Sequence, residues 1–148
     1  LVLTLFLLLA SLAACGSKQS QTEPSTSQTN SSSGQALERP APPAEYADKK
    51  SPSLSAADIE KGKTTYQSYC AACHGEKAMG DGPASASLDP TPQPLATTEK
   101  GLGDAYLYWR IAEGGLMDPF KSAMPSWKSV LNEESIWQVI GYLRELGG

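Results

Sequence analysis

The segment Cys70–His74, CAACH, limits what this chain can become more than any other part of it. It holds two of the three cysteines and the only histidine. Two thiols and an imidazole at this spacing are typical of three kinds of site: a redox dithiol, part of a zinc site, or the point where a haem is attached to the backbone. The remainder of the sequence discriminates among the three.

A structural zinc site needs four ligands, and this segment supplies three. Cys15 lies far away along the chain, and there is no second histidine. A thioredoxin-like dithiol is expected beside a βαβ pattern, whereas the sequence after residue 53 has no alternating strand pattern. Haem attachment needs two thiols one helical turn apart, followed at once by an imidazole for the iron. The motif therefore predicts one covalently bound haem c, held by Cys70 and Cys73, with His74 as an axial ligand.

The first fourteen residues, LVLTLFLLLASLAA, are an apolar run. The run is shorter than the ~20 residues that a membrane-spanning helix needs. Its length and its small final residues predict a signal peptide over residues 1–14. Because the sequence begins without a methionine or a basic segment, we expect the leader to start a few residues further upstream.

The junction after this run, LAAC at residues 12–15, resembles the bacterial lipobox. The resemblance implies cleavage before Cys15 and lipidation of its thiol. The protein is then expected to be exported and held by lipid at the outer face of the cytoplasmic membrane or at another extracytoplasmic membrane surface. An ordinary signal peptide followed by an incidental cysteine is the alternative.

Residues 16–53 are rich in Ser, Thr, Gln and Pro, and only Leu37 and Tyr46 offer any bulk. Such a segment cannot bury enough apolar surface to offset the entropy of ordering it. We therefore predict a disordered tether over residues 15–53, beginning at the lipidated Cys15, and a globular domain over residues 54–148.

The predicted domain is acidic, with eight Lys or Arg against twelve Asp or Glu and a net charge of −4. Nucleic-acid binding demands clustered Lys and Arg for the phosphates, so no nucleic-acid partner is expected. There is no second histidine for a catalytic triad and no glycine-rich phosphate loop after a strand. We therefore expect no small-molecule substrate and no enzymatic activity.

Three helices are predicted in the domain, over residues 55–70, 103–115 and 131–148. Ser55 and Asp58 form a capping-box-like start to the first helix, Asp104 is the expected cap of the second, and Asn132 is the expected cap of the last. Long Gly- and Pro-rich loops separate these helices, and loops of that length need something to pack against. A large apolar cofactor would meet that need.

On these features the domain resembles a class I (mono-haem) cytochrome c. The motifs CAACHG, GDGPA, AMPSW and IWQVIGYLREL stand in that family's order and cover nearly all of residues 54–146. The resemblance implies an all-α class I cytochrome c fold, with three to five short helices and long loops wrapped around one covalently bound haem. It also implies that the first and last helices cross, with Gly62 opposite residues 137–142.

The sixth iron ligand has to come from one of three methionines. Met124 has the family's Met-Pro pairing, and Pro125 biases it toward the extended backbone of a loop. Met117 is the alternative, whereas Met79 lies only five residues from His74. We predict Met124 as the axial ligand opposite His74.

Three further residues are expected around the haem. The resemblance implies that the carbonyl of Pro83 accepts the N–H of the proximal imidazole, which would fix its tautomer. Trp127 and Arg110 could donate N–H groups to a haem propionate, or could simply complete the core.

With both axial positions filled, the iron has no open site and can only change its oxidation state. The expected function is single-electron transfer by a membrane-tethered c-type cytochrome in an extracytoplasmic or respiratory redox chain. The expected partners are redox proteins, and a basic docking surface on them would suit the acidic domain. Two alternatives stay open. One is a haem subunit of a larger oxidoreductase, and the other is a haem sensor or enzyme with an open sixth position.

Overall fold

A computed structural model describes residues 39–148. The predicted signal peptide, Cys15 and residues 16–38 of the predicted tether lie outside these residues. Within them the chain is helical and has no β-strand, which confirms the all-α prediction. The α-helices are α1 (Ala44–Ala47), α2 (Ala56–Tyr69), α3 (Ala71–His74), α4 (Leu95–Thr98), α5 (Asp104–Glu113) and α6 (Glu133–Gly147), and two 3₁₀ turns cover Ser85–Ser87 and Glu99–Gly101.

The three long helices, α2, α5 and α6, are the three that the sequence predicts. The other three are single turns, too short to show a helical period. Five of the six helices lie within residues 54–148, which agrees with the expected three to five. None of the helices within residues 39–148 is long and apolar enough to cross a bilayer.

The predicted caps of α2 and α6 are present. The Ser55 hydroxyl accepts a hydrogen bond from the backbone N–H of Asp58, and the Asp58 carboxylate accepts one from the backbone N–H of Ser55. The Asn132 side chain accepts a hydrogen bond of 2.8 Å from the backbone N–H of Ser135. Each cap satisfies backbone donors that the first helical turn leaves free, so both helices begin where the sequence places them.

Helices α2 and α6 cross in direct backbone contact, as predicted. A Cβ atom at Gly62 would overlap the backbone carbonyl of Gln138, so only glycine permits this approach. Beside the crossing, the rings of Tyr66 and Tyr142 lie 5.4 Å apart between centroids, and Val139 is 1% exposed. The crossing is therefore the centre of the apolar core.

Residues 39–53, which we call the N-terminal strap, pack on the domain, and the prediction that they belong to the tether is wrong. The Tyr46 ring lies 6.1 Å from that of Tyr108, and the backbone N–H of Ser51 donates to the carboxylate of Asp104 at 2.9 Å. Asp104 therefore receives the strap and does not cap α5, whose N-cap is Gly103. The amino-acid composition suggested disorder because composition carries no information on contacts between individual residues.

A buried ion pair joins α6 to the segment that precedes α5. Glu99 has no exposed surface, and the Arg144 guanidinium donates to its carboxylate and to its backbone carbonyl, both at 2.8 Å. The same guanidinium donates to the carbonyl of Leu102 at 2.7 Å. The end of the long loop is thereby fixed against the last helix.

Candidate functional site

The CAACH segment forms α3, a single helical turn that follows the end of α2. The backbone N–H groups of Cys73 and His74 both donate to the carbonyl of Cys70, at 3.1 and 2.9 Å. Cys70 and Cys73 form no disulfide with each other. The structure therefore places both thiols and the imidazole on one turn, the arrangement that the sequence predicts for a haem-attachment site.

The electrostatics of this turn do not favour a redox dithiol. Burial, and secondarily the neighbouring Cys73, raises the pKa of the Cys70 thiol to about 12. A reactive dithiol has a lowered thiol pKa, because the thiolate is the nucleophile. Burial also lowers the pKa of His74, which keeps the imidazole neutral, the form that coordinates metals.

The structure also gives no support to a zinc site. Within residues 39–148 no group of three or more His, Cys, Asp or Glu side chains is placed to hold a metal ion. The Nδ1 atom of His74 is shielded from solvent and has no hydrogen-bond partner there. A buried ring nitrogen without a partner is unusual in a protein that uses its histidine only for packing.

The hydrogen bond predicted between His74 and the carbonyl of Pro83 is not made in this structure. Pro83 is exposed, and the turn that contains it is hydrogen bonded to the backbone of α3. In this turn the backbone N–H of Ala84 donates to the carbonyl of Ala72 at 2.9 Å. A Cβ atom at Gly82 would overlap the same carbonyl. The turn thus packs on the backbone of α3 and leaves the imidazole nitrogen unpaired.

Met124 lies in a loop that is hydrogen bonded to the end of α5. The backbone N–H of Gly115 donates to the carbonyl of Met124, and that of Ser122 donates to the carbonyl of Gly115, both at 2.8 Å. Gly114 has φ +72°, and a Cβ atom there would overlap the backbone of Met124 and Pro125. We call residues 114–128 the methionine loop.

The structure separates the three methionines. Met124 is partly buried and packs on the same core cluster as Cys70. Met117 is partly buried but does not belong to that cluster, and Met79 is 45% exposed. The apolar core therefore connects the attachment turn with the methionine that carries the Met-Pro motif.

Trp127 joins the two sides of the site. Its ring lies 5.5 Å from that of Tyr69, the residue that precedes Cys70, and its backbone N–H donates to the carbonyl of Ala112 at 3.1 Å. The sequence did not reveal this contact, because the two rings are far apart along the chain and Trp127 belongs to no periodic stripe. Two thiols and a partly buried neutral imidazole on one turn, with a thioether that packs on the same core cluster as Cys70, fit a covalently attached haem.

Arg110 is half-buried beside the methionine loop. Its guanidinium lies 3.4 Å from the centroid of the Phe120 ring and donates to the carbonyl of Gly114 at 2.5 Å. Burial lowers its pKa, and no carboxylate within residues 39–148 forms an ion pair with it. A half-buried cation without an anion is a suitable donor for a carboxylate ligand.

Comparisons with known proteins find a matching family and similar sequences. The family model described as "Cytochrome C oxidase, cbb3-type, subunit III" matches residues 57–143. The cbb3-type cytochrome c oxidase subunit CcoP of Azospirillum brasilense is 34% identical over 96 residues, which cover 65% of this chain and 31% of that protein. CcoP of Azospirillum sp. (strain B510) is 33% identical over 96 residues, covering 63% of this chain and 30% of that protein.

A solved structure shares the fold. A chain of the Kuenenia stuttgartiensis reducing HAO-like protein complex Kustc0457/Kustc0458 superposes with a TM-score of 0.54 at 22% identity, covering 67% of this chain and 48% of that chain. At that identity the likeness shows the fold alone. The present chain spans less than a third of the length of the two curated relatives.

Proposed function

The chain belongs to the family of cbb3-type cytochrome c oxidase subunit III, a family of c-type cytochromes, and from this premise we propose that it is a single-electron carrier. Cys70 and Cys73 would hold one haem c through thioether bonds, with His74 and Met124 as the axial ligands. The carrying observation is that Met124 and Cys70 pack on one core cluster, whereas Met117 lies outside it.

The protein side chains would bind the haem, fix its orientation and keep other ligands away from its iron. When bound, the haem supplies a reversible one-electron couple at its iron. The two thiols would fix its position, and the partly buried His74 would offer a neutral imidazole. A thioether from Met124 would favour the ferrous state and so raise the reduction potential. With His74 and Met124 both bound to the iron, no position on it would be left for a substrate.

Attachment through Cys70 and Cys73 predicts that the haem survives denaturation and acid–acetone extraction. Cys70→Ser and Cys73→Ser should each leave a single thioether, and the double variant should lose the colour from the polypeptide. Mass spectrometry of the denatured protein would also count the haems. Loss of the wild-type colour under the same extraction would refute covalent attachment.

A second candidate is a haem subunit of a larger oxidoreductase. The observation in its favour is that the family and both curated relatives are named as subunits of an oxidase. In that case the protein should co-purify with stoichiometric partner subunits after mild detergent extraction. Isolation as a lone haem protein favours the independent carrier.

A sensor or enzyme with an open sixth position is separated from the carrier by carbon monoxide. The reduced carrier should bind this gas poorly, because Met124 occupies the position that the gas requires. Rapid binding by the reduced wild-type protein, seen as a shift of the main absorption band, would favour the open site.

Lipidation of Cys15 is proposed from the lipobox alone, and Cys15 lies outside the described residues. Cys15→Ser should release the protein from membranes with its haem retained, because the core described above is made by residues after 38. Retention of the Cys15→Ser variant in the membrane fraction would remove lipidation from the proposal. Arg110 and Trp127 are retained as candidate donors to a haem propionate.

The predicted redox partner presents a basic surface to this acidic domain. Electron-exchange rates should then fall as the salt concentration rises past ~0.1 M, where the screening length is about 10 Å. A rate that is flat in salt would favour an apolar docking surface.

A further inference from the structure

Glu113 connects the N-terminal strap with the methionine loop. No other residue within residues 39–148 forms side-chain hydrogen bonds to both of them. From one side the Tyr46 hydroxyl of the N-terminal strap donates to the Oε1 atom of Glu113. From the other side the Lys128 ammonium of the methionine loop donates to the same oxygen at 2.7 Å. The Glu113 side chain is 23% exposed, so this shared carboxylate is partly shielded from solvent.

The loop residues next to Lys128 are fixed to the last turn of α5. The Ser126 hydroxyl donates to the carbonyl of Ala112 at 2.7 Å, and the backbone N–H groups of Trp127 and Lys128 donate to the same carbonyl at 3.1 Å. Met124 is two residues from the first of these bonds and is itself held through its carbonyl by Gly115. The position of Met124 therefore depends on how firmly the loop is held at Ala112 and Glu113.

The strap reaches this point from the opposite direction. It lies antiparallel to α5, with Ser51 at Asp104 near the start of the helix and Tyr46 at Glu113 at its end. A separate contact joins Lys49 to Glu133, at 2.7 Å, at the start of α6. Of the strap's polar contacts within residues 39–148, only the one at Glu113 is shared with the methionine loop.

We infer that Glu113 is a positioning residue for the sixth ligand, and that docking of the N-terminal strap on α5 strengthens the bond between Met124 and the iron. The inference rests on the proposed function, since it requires Met124 to be that ligand. The strap continues in sequence into residues 15–38, the part of the predicted tether that precedes it. Displacement of the strap would loosen the methionine loop, weaken axial ligation and lower the reduction potential.

Imidazole titration of the oxidised full-length protein tests this coupling, because imidazole competes with Met124 for the ferric iron. Tyr46→Phe keeps the ring and removes only the donated bond, so it should tighten apparent imidazole binding about five-fold, the value of one typical hydrogen bond. Glu113→Gln should have an equal or larger effect. Because both hydrogen bonds end on the same oxygen, the effects of Tyr46→Phe and Glu113→Gln should be less than additive in the double variant. The reduction potential should fall in the same order.

Glu133→Gln is the matched control. The Glu133 carboxylate accepts a hydrogen bond from Lys49 of the strap at 2.7 Å, the same distance as that between Lys128 and Glu113. It has no contact with the methionine loop among the described ion pairs. Because the variant weakens only a contact of the strap that the methionine loop does not share, it should change imidazole binding and the potential clearly less than Tyr46→Phe does. Wild-type affinity in Tyr46→Phe, or an equal effect of Glu133→Gln, would overturn the inference.

Met124→Ala distinguishes this inference from the function on which it rests. The variant should bind imidazole without competition, far more tightly than the wild type. If wild type and Met124→Ala bind imidazole equally, both the proposed ligation and the inference fail. If they differ while Tyr46→Phe behaves as wild type, only the role of Glu113 and the strap fails.

Discussion

The two sides of the candidate site are held by different kinds of interaction. The attachment turn follows α2, which is fixed by apolar packing against α6, with Gly62 against the carbonyl of Gln138. The methionine loop is fixed by hydrogen bonds to the end of α5 and by one shared carboxylate. Apolar packing of this density tolerates little change, whereas half-exposed hydrogen bonds are individually weak. The side proposed to carry the covalent bonds is the rigid one, and the side proposed to carry the exchangeable ligand is the adjustable one.

The largest effect is expected at the helix crossing. Gly62→Ala should lower the free energy of unfolding by about 2–3 kcal/mol, because the new methyl group overlaps backbone that cannot rotate away. Alanine is the better helix former by ~1 kcal/mol, so helix propensity alone would stabilise the variant. A net loss of stability would therefore be due to the overlap. Denaturant unfolding measures it.

Gly101→Ala is the control for this change. A Cβ atom at Gly101 would meet no atom within 4 Å, so its effect should stay within about 0.5 kcal/mol. Equal stabilities for the two variants would mean that the crossing is not the rigid element described here.

A smaller effect is expected where the methionine loop meets α5. Ser126→Ala removes a hydrogen bond of 2.7 Å to the carbonyl of Ala112 and should cost about 1 kcal/mol of stability. It should also tighten imidazole binding, since the loop beside Met124 is loosened. Ser68→Ala is the matched change on α2, where the hydroxyl donates to Thr64 on an exposed surface. If Ser68→Ala matches it in both measurements, the contrast between the two sides is lost.

The smallest effect is the pH dependence of the shared carboxylate. Hydrogen bonds from Lys128 first, and then from Tyr46, hold the pKa of Glu113 below its ordinary value of 4.5. A carboxylate with a lowered pKa in the folded state contributes stability above its unfolded pKa. That contribution is lost as the pH falls through the folded pKa.

The difference in unfolding free energy between wild type and Glu113→Gln should therefore be present at neutral pH. It should be under about 1 kcal/mol for a partly exposed pair, and should shrink in acid, below about pH 4. Unfolding curves at several pH values measure the difference. If this difference in unfolding free energy is unchanged at low pH, the effect of the variant is due to packing and not to the charge of Glu113.

The sequence predicted the rigid side of the site well. The caps at Ser55 and Asn132 and the thiols and imidazole of one turn follow from local patterns, and the structure reproduces them. The close approach at Gly62 follows from the family resemblance, and the structure reproduces it as well. The methionine loop was harder, because its contacts join residues that are distant in sequence and have no period. Local reasoning placed Met124 in a loop but could not show what holds that loop.

The strap illustrates the same limit. Its composition is that of an unfolded segment, yet three polar contacts and one aromatic contact hold it on α5 and α6. Composition averages over residues, whereas Tyr46 acts through one hydroxyl and one ring. The predictions of a cap at Asp104 and of a hydrogen bond at Pro83 were wrong for a related reason. Asp104 accepts from Ser51 of the strap, and Pro83 lies at an exposed position, neither of which follows from local sequence.

The most direct test of the account compares Met124→Ala with Met117→Ala in the optical spectrum of the oxidised and reduced protein. Met124→Ala should lose the weak far-red band of sulfur–ferric ligation, acquire high-spin character and carbon monoxide binding, and have a lower reduction potential. Met117→Ala should retain the band and the potential. Exchange of the two outcomes would make Met117 the ligand, and an unchanged spectrum in both variants would contradict His/Met ligation and the electron-carrier function built on it.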